Sequence, residues 1–284
     1  MEQRARHRCG LWTISNSSEM KNSEKIKCAS KYILNNTLFN GNTAIILGSG
    51  LGSFSKTLKE SIQIAYKEIP YFTESMVKGH NGKLIVGKLF NKQILIASGR
   101  LHFYEGHSKE KVVFIVQVMN ACGIKNLIIT NSSGSLDKKN PPGTIMIVKG
   151  HLDCTFQDNS NFPLLNEDIK YHSKSLINIC QTVSLESKVK IISGNYCWVL
   201  GPLYETPEEI KFFQQLNGTA VGMSTLPEIR EAGELGLRVL TIALLTNYAA
   251  GITDEKLSHK EVLIIADRSK TKFSKFLLGI LKRV

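Results

Sequence analysis

The sequence predicts a single-domain α/β protein with a central mixed, mostly parallel β-sheet flanked by helices. Short apolar runs typical of buried strands alternate with segments of helical periodicity along the 284 residues. Polar and glycine-rich residues follow several of these strands, and no internal repeat, low-complexity linker or charge run divides the chain. We therefore predict one domain over residues 23–284, preceded by a flexible N-terminal extension at residues 1–22.

Eight predicted strands have an apolar composition and end at turn-forming residues. In chain order they are 43–47, 84–86, 94–97, 127–130, 144–148, 195–200, 220–223 and 238–245. The second and third are predicted to form a hairpin around Asn91 and Lys92. Because ligands bind outside the carboxyl ends of strands in open α/β sheets, we expect the polar residues that follow these strands to collect at one edge.

Four predicted helices have apolar residues at helical spacing and recognisable end signals. They span residues 112–122, 207–216, 227–235 and 259–281. Gly123 and Gly236 follow the first and third, where a glycine commonly ends a helix. Thr206 and Pro207 stand at the start of the second, as an N-cap and a first helical residue.

The charge and the composition of the chain limit the classes of function that it can have. The net charge of +12 at pH 7 favours anionic ligands such as phosphate. The basic residues are spread along the chain without a dense block interleaved with aromatics, so nucleic-acid binding is the weaker interpretation. No apolar run approaches membrane-spanning length and the N-terminal residues make a poor secretion signal, which together favour a cytoplasmic protein. The six cysteines lack zinc-site spacing, and we predict no metal.

Two segments carry residues suited to a phosphate group. GSGLG at 48–52 follows a predicted strand and offers close backbone approach with the hydroxyl of Ser49, although a plain turn is about as frequent. GRLHFYEGH at 99–107 alternates Arg100 and His102 on one face of an extended segment. Guanidinium and imidazole donors together suit a phosphate, and a surface loop with an ion pair is the alternative.

Three further segments hold side chains that could bind a purine. NSSGS at 131–135 supplies small hydroxyl residues after a strand, although an ordinary turn explains it as well. Within 201–207, Glu205 could accept a hydrogen bond from a ring N–H while Tyr204 stacks on the base, but a glutamate at a helix start is more often a dipole partner. The amide of Asn247, after the last strand, can donate to one atom and accept from another.

Taken together, eight segments resemble the trimeric purine nucleoside phosphorylase family, in family order from about residue 25 to the C terminus. They are GSGLG (48–52), GHNGKL (79–84), GRLHFYEGH (99–107), NSSGSL (131–136), PPGTIMIVKGH (141–151), GPLYET (201–206), AVGMSTLPE (220–228) and LLTNYAAGI (244–252). Any one of them could arise by chance, whereas eight in order could hardly do so.

The resemblance implies a role for each matching residue. The phosphate would contact Ser49, Arg100, His102, Ser132 and Ser224, with His80 near the path by which it enters. The ribose would contact Tyr104, Met223, His259 and, across a subunit boundary, Phe162. The purine would contact Tyr196, Tyr204, Glu205, Val221, Thr246 and Asn247. Of these residues, Asn247, Glu205 and His102 are the implied catalytic groups.

The resemblance also implies an activity. The expected reaction is phosphorolysis of inosine, guanosine and their deoxy forms to the free purine and ribose 1-phosphate, in a homotrimer without a metal or other cofactor and without nucleic-acid or membrane partners. Asn247 favours 6-oxopurines, whereas an aspartate there would favour 6-aminopurines, as in the related methylthioadenosine phosphorylases. Methylthioadenosine phosphorolysis and nucleoside binding without catalysis are the alternatives.

Two features depart from the family pattern. Ser132, Ser133 and Ser135 stand where the family usually has alanine or glycine. The stretch 151–162 is shorter than the family's, so the loop that carries Phe162 is expected to reach a neighbouring subunit less easily.

Overall fold

A computed structural model of the protein describes residues 20–75, 82–157, 161–254 and 258–284. Six α-helices and nine β-strands lie in this described part of the chain. In chain order they are α1 (Asn22–Thr37), β1 (Thr43–Leu47), β2 (Lys59–Ala65), β3 (Lys83–Leu89), β4 (Lys92–Ser98), α2 (Lys109–Ala121), β5 (Asn126–Ser135), β6 (Ile145–Asp153), α3 (Lys174–Ser187), β7 (Ile191–Trp198), α4 (Pro207–Gln215), β8 (Ala220–Gly222), α5 (Leu226–Glu234), β9 (Arg238–Tyr248) and α6 (His259–Leu281).

The described strands form one mixed sheet in the order β2-β3-β4-β1-β5-β8-β7-β6-β9. β5 also pairs with β9, so that β5, β8, β7, β6 and β9 close into a ring. Five of the nine pairings between described strands are parallel and four are antiparallel. The predicted α/β class with a mixed, mostly parallel sheet is therefore confirmed.

The strand β1 shows how the core is divided. Ala44 and Ile46 pack in one apolar cluster with α1, α2 and α5, whereas Ile45 and Leu47 pack in a second cluster with α3 and α6. Since successive side chains of a strand point to opposite faces, helices cover both sides of the sheet. Burial on both faces explains why β1 is a continuous apolar run rather than an alternating one.

Five strands, β3, β4, β5, β6 and β9, continue past their predicted ends, and the extensions of β5 and β9 carry predicted site residues. β5 extends through residues 131–135, so this segment is not the predicted turn. Ser132 pairs with Leu244 of β9 and Gly134 pairs with Val221 of β8. These pairings satisfy backbone groups that a turn would leave to solvent. β9 likewise extends to Tyr248, which places the last predicted site residues inside a strand.

The hairpin between β3 and β4 is present, but its turn lies one residue earlier than predicted. Phe90 and Asn91 are the two central residues, with φ of 50° and 60°. Two successive positive φ values define the type I′ turn that joins tightly twisted antiparallel strands. No helix among the described residues combines the length and the apolar character needed to cross a bilayer.

Candidate active site

The carboxyl ends of β1, β4, β5, β8 and β9 open onto one cleft, as expected for a ligand site in an α/β sheet. Residues at the ends of these strands or just after them line it, together with two residues from the segment after β7 and one residue of α6. The lining consists of Gly48, Ser49, Arg100, His102, Tyr104, Asn131, Ser132, Ser133, Gly134, Tyr204, Glu205, Val221, Gly222, Met223, Ser224, Thr246, Asn247 and Val262.

The structure brings twelve of the predicted site residues into this cleft. They are Ser49, Arg100, His102, Tyr104, Ser132, Tyr204, Glu205, Val221, Met223, Ser224, Thr246 and Asn247. Tyr196 and Phe162 do not line it. His80 and the side chain of His259 lie outside the described part of the chain, so their assignments stay predictions.

Tyr196 lies beneath the cleft rather than in it. Its side chain is fully buried, and its hydroxyl donates to the carbonyl oxygen of Ser224 at 2.9 Å. The expectation that this ring flanks a base is therefore corrected: it supports the cleft wall from below. Phe162 is half exposed and packs edge-on against Phe212, with ring centroids 5.7 Å apart. Its predicted contact with a neighbouring subunit stays a prediction.

Arg100 stands at the buried end of the cleft, with 3% of its surface exposed. Its Nη1 donates to Ser224 Oγ at 3.3 Å and to Thr225 Oγ1 at 2.9 Å, and its Nη2 donates to the carbonyl of Thr130. The equally buried carboxylate of Glu228 lies 3.5 Å from Nη1. Since a buried ion is tolerated only when it is paired and hydrogen-bonded, these contacts fix the guanidinium in one position.

Glu228 is a site residue that the sequence analysis missed. Burial raises the pKa of its carboxyl, and the charge of Arg100 opposes that rise. Arg100 is the main compensation for this buried carboxylate, and the backbone N–H groups of Thr225 and Glu228 contribute less. A glutamate in the first turn of a helix after a proline is usual at any helix start, and the sequence pattern could not tell an inward side chain from an outward one.

The loop after β1 is held closely against β5. The N–H of Gly48 donates to Thr130 Oγ1 at 3.0 Å, and a Cβ on Gly48 would lie only 2.6 Å from Cα of Asn131, so this approach requires glycine. Ser132 Oγ donates to the carbonyl of Ser49 at 2.8 Å. One of the serines that departs from the family pattern therefore ties the two strand ends together.

His102 is a neutral ring at the same end of the cleft. Burial and the nearby charge of Arg100 lower the pKa of His102 to about 4. Its Nδ1 lies 3.2 Å from Glu105 Oε1, and its ring stacks on Tyr104 with centroids 4.8 Å apart. When Nδ1–H donates to Glu105, the neutral ring presents Nε2 as an acceptor, which suits a phosphate oxygen that carries a proton.

A β-bulge in β9 places two neighbouring side chains in the cleft. Ser133 pairs with Leu245 and Gly134 pairs with Asn247, which leaves Thr246 as an extra residue between them. In a regular strand Thr246 and Asn247 would point to opposite faces. Here both line the cleft.

The amide of Asn247 is held in one orientation. Thr246 Oγ1 lies 3.2 Å from Asn247 Oδ1 and can donate to it, while Asn247 Nδ2 donates to the carbonyl of Tyr248 at 2.9 Å. An amide nitrogen carries two hydrogens, so one of them remains for a ligand. Asn247 is therefore set up as a hydrogen-bond donor within the cleft.

Glu205 and Tyr204 lie together on the segment after β7. Burial raises the pKa of the Glu205 carboxyl above its ordinary value, and 41% of the Tyr204 surface is exposed. A partly buried carboxylate strongly favours an N–H partner, because burial removes the water that would otherwise solvate it. The cleft thus has a cationic, hydroxyl-lined end and an end with a carboxylate and an amide. Within the described ranges, no group of three His, Cys, Asp or Glu side chains is arranged to hold a metal ion.

Residues 42–282 match the family model described as the phosphorylase superfamily, which is the class of protein that this fold and cleft define. The chain is 35% identical over 267 residues to purine nucleoside phosphorylase 1 of Bacillus subtilis, covering 90% of this chain and 97% of that protein. It is 34% identical to purine nucleoside phosphorylase of Mus musculus, covering 84% and 88%. A crystal structure of Schistosoma mansoni purine nucleoside phosphorylase in complex with adenosine superposes with a TM-score of 0.84 at 29% identity, covering 92% and 97%. The chain belongs to the purine nucleoside phosphorylase family.

Proposed function

We propose that the protein cleaves inosine, guanosine and their deoxy forms with inorganic phosphate, releasing the free purine and the sugar 1-phosphate. The observation that carries this proposal is the shared cleft: Arg100, His102 and Ser224 line it together with Glu205 and Asn247. The first set suits an oxyanion and the second suits a ring with N–H and carbonyl groups. A nucleoside between them would present its glycosidic bond to the phosphate.

The residues divide the chemistry between the two ends. Phosphorolysis breaks the bond from the anomeric carbon to the purine nitrogen, and the base leaves with the electron pair. A phosphate oxygen forms the new bond to the opposite face of that carbon, which inverts its configuration. Arg100, Ser224 and Ser49 would hold the phosphate for this attack, and its negative charge would stabilise the oxocarbenium-like sugar. Asn247 would stabilise the charge that develops on the base.

The orientation of Asn247 supports 6-oxopurines as substrates. Because Nδ2 donates one hydrogen to the carbonyl of Tyr248, its second hydrogen remains for the base, while Thr246 Oγ1 lies within reach of Oδ1. An amide donor suits the 6-oxygen and the adjacent ring nitrogen of a 6-oxopurine. In a 6-aminopurine, the N–H of the amide would face the N–H of the amino group, and no hydrogen bond could form between them. This disfavours the methylthioadenosine alternative. The inactive-binder alternative is disfavoured because Ser49, Arg100, His102 and Ser224 all line the cleft.

The proposal also covers the cofactor requirement, the oligomeric state, the location and the partners of the protein. Phosphate is a co-substrate, and the proposed chemistry needs no metal or other cofactor. We propose a homotrimer in the cytoplasm, with small-molecule ligands and no nucleic-acid or membrane partner. The exposed apolar side chain of Phe162, at 50%, lies on the segment to which the resemblance assigns a contact with a neighbouring subunit, and it supports that assembly.

Base release from inosine, guanosine and adenosine, each with and without phosphate, tests the proposed reaction. We expect hypoxanthine and guanine to appear only when phosphate is present, and kcat/KM for adenosine to be lower by about 100-fold or more. No release from inosine or guanosine, or release independent of phosphate, would refute the proposal. Faster cleavage of methylthioadenosine than of inosine would favour the alternative enzyme.

The raised pKa of Glu205 predicts the acid side of the pH profile. Glu205 accepts from a ring N–H far more strongly as a carboxylate than as a protonated carboxyl, so activity is highest above its pKa and declines as pH falls through it. Because burial raises that pKa, kcat/KM for inosine should decline at a higher pH than the ordinary value of 4.5. Measurement of kcat/KM for inosine from pH 4.5 to 8 shows this decline, which is the acid limb of the pH profile.

Two variants identify the group responsible. Glu205→Gln should lower kcat/KM for inosine about tenfold at pH 7.5 and remove the acid limb, because the amide accepts more weakly and does not titrate. Glu208→Gln, on the exposed face of α4, should keep the wild-type profile. An unchanged acid limb in Glu205→Gln would assign the titration to another residue.

A further inference from the structure

Thr225 has an unfavourable backbone conformation between β8 and α5. Its φ is 83° and its ψ is −46°, and the N–H of Leu226 donates to the carbonyl of Ser224 across it at 3.0 Å. This is the rare γ-turn with a positive φ at its centre. A β-branched side chain resists such a conformation, whereas glycine would adopt it readily. The turn alone therefore gives no reason for a threonine.

The side chain of Thr225 gives that reason. It is fully buried, and its Oγ1 accepts from Arg100 Nη1 at 2.9 Å and from Asn131 Nδ2 at 3.0 Å. A hydroxyl oxygen has two lone pairs and one hydrogen. Both lone pairs are used by these two donors, so the hydrogen of Thr225 must be donated to a third atom. Ser224 Oγ lies 3.0 Å away and the hydroxyl of Tyr196 also bonds to this side chain, so either can accept it.

The lone pairs and the hydrogen of the Ser224 hydroxyl can be assigned in the same way. Its Oγ accepts from Arg100 Nη1 at 3.3 Å, and it cannot donate to Thr225 Oγ1, because Arg100 and Asn131 already use both lone pairs of that oxygen. Its own hydrogen has no acceptor among the residues that the structure describes, and Ser224 lines the cleft. The hydroxyl of Ser224 is therefore directed as a donor to a ligand oxygen, which suits an unprotonated oxygen of an anion.

We infer that Thr225 is a positioning residue for the phosphate end of the cleft. Its hydroxyl is the common acceptor that aligns Arg100 with Asn131, and because both of its lone pairs are then used, the hydrogen of Ser224 is left to point towards the anion. This inference rests on the proposed function, since it takes inorganic phosphate as the ligand. Glycine at position 225 would relieve the backbone but lose all three hydrogen bonds, which accounts for threonine at a strained position.

Two substitutions separate the hydroxyl from the shape of the side chain. Thr225→Val keeps the branching and loses the hydroxyl, whereas Thr225→Ser keeps the hydroxyl and loses a methyl group. Thr241→Val is the matched control, because Thr241 is equally buried in β9 and its hydroxyl has no described partner. For each protein we would measure kcat and KM for phosphate and for inosine, and the Kd of inorganic phosphate by titration calorimetry.

We expect Thr225→Val to raise the KM and the Kd for phosphate about tenfold and to leave the KM for inosine within about twofold, because one hydrogen bond to a charged group is of this size. Thr225→Ser and Thr241→Val should stay near wild type. Wild-type phosphate affinity in Thr225→Val would overturn the inference, and so would equal losses in the Ser and Val variants. A wild-type protein that binds phosphate but cleaves no nucleoside would instead refute the proposed function.

Discussion

Replacement of Asn247 by alanine should lower kcat for inosine about 100- to 1000-fold. The loss is this large because the amide would donate to the base where negative charge develops, and removing one such preorganised donor typically costs about 3 to 4 kcal/mol of transition-state stabilisation. The proposed phosphate site around Arg100 and Ser224 does not include Asn247, so the KM for phosphate should change little. Steady-state kinetics with each substrate varied in turn gives both values.

Asn178→Ala is the matched control for this variant. Asn178 lies on the exposed side of α3, outside the residues that line the cleft. Its replacement should leave kcat and both KM values unchanged. A turnover number near wild type in Asn247→Ala would remove Asn247 from the chemistry, and a large rise in the KM for phosphate would show that the two ends of the cleft are not separate.

Replacement of Arg100 by methionine should have two large effects. The KM for phosphate should rise about 100-fold or more, because the anion loses a fixed guanidinium. The protein should also lose about 3 to 5 kcal/mol of stability, since Glu228 would be left as a buried charge without its partner. Phosphate kinetics and urea unfolding measure the two effects independently.

The loss of stability should depend on pH. Without Arg100, burial raises the pKa of Glu228 further above its value in the unfolded chain, so the folded protein holds a proton that the unfolded chain releases. The stability of Arg100→Met is then greatest at low pH and falls as pH rises through the pKa of that carboxyl. Urea unfolding at pH 6 and pH 8 should show the larger loss at pH 8.

A double variant isolates the buried pair. Arg100→Met combined with Glu228→Met should recover most of the stability lost at pH 8, because two apolar side chains replace two ions, while phosphate binding stays weak. Lys211→Met breaks the exposed pair with Glu208 and should change stability little. If Arg100→Met were as stable as wild type at pH 8, Glu228 would not depend on Arg100 for compensation.

The elements that the sequence predicts best are those buried on both faces. β1 has the predicted bounds, because a threonine followed by four consecutive apolar residues and a glycine cluster is typical of a buried strand. β2 was not predicted, since it lies at the sheet edge and five of its seven residues are exposed, which removes the apolar signal. α1 and α3 were also missed. Only a narrow stripe of each is buried, such as Leu176, Cys180 and Val183 of α3.

Most of the residues that line the cleft could be predicted from the sequence, but the contacts that hold their side chains in position could not. Ser49, Arg100, Glu205 and Asn247 lie in short motifs at the ends of apolar runs. The contacts that orient them join residues far apart in the chain, as between Arg100 and Glu228. The bulge at Thr246 depends on strand register, which the sequence of β9 alone does not determine.

NMR analysis of the sugar formed from inosine and inorganic phosphate tests most directly whether the two substrates react with each other in this cleft. Direct attack by phosphate on the face opposite the base would give α-ribose 1-phosphate and hypoxanthine in equal amounts, and this is the result we expect. Free ribose in place of the phosphate ester would contradict it, because water rather than bound phosphate would then be the nucleophile.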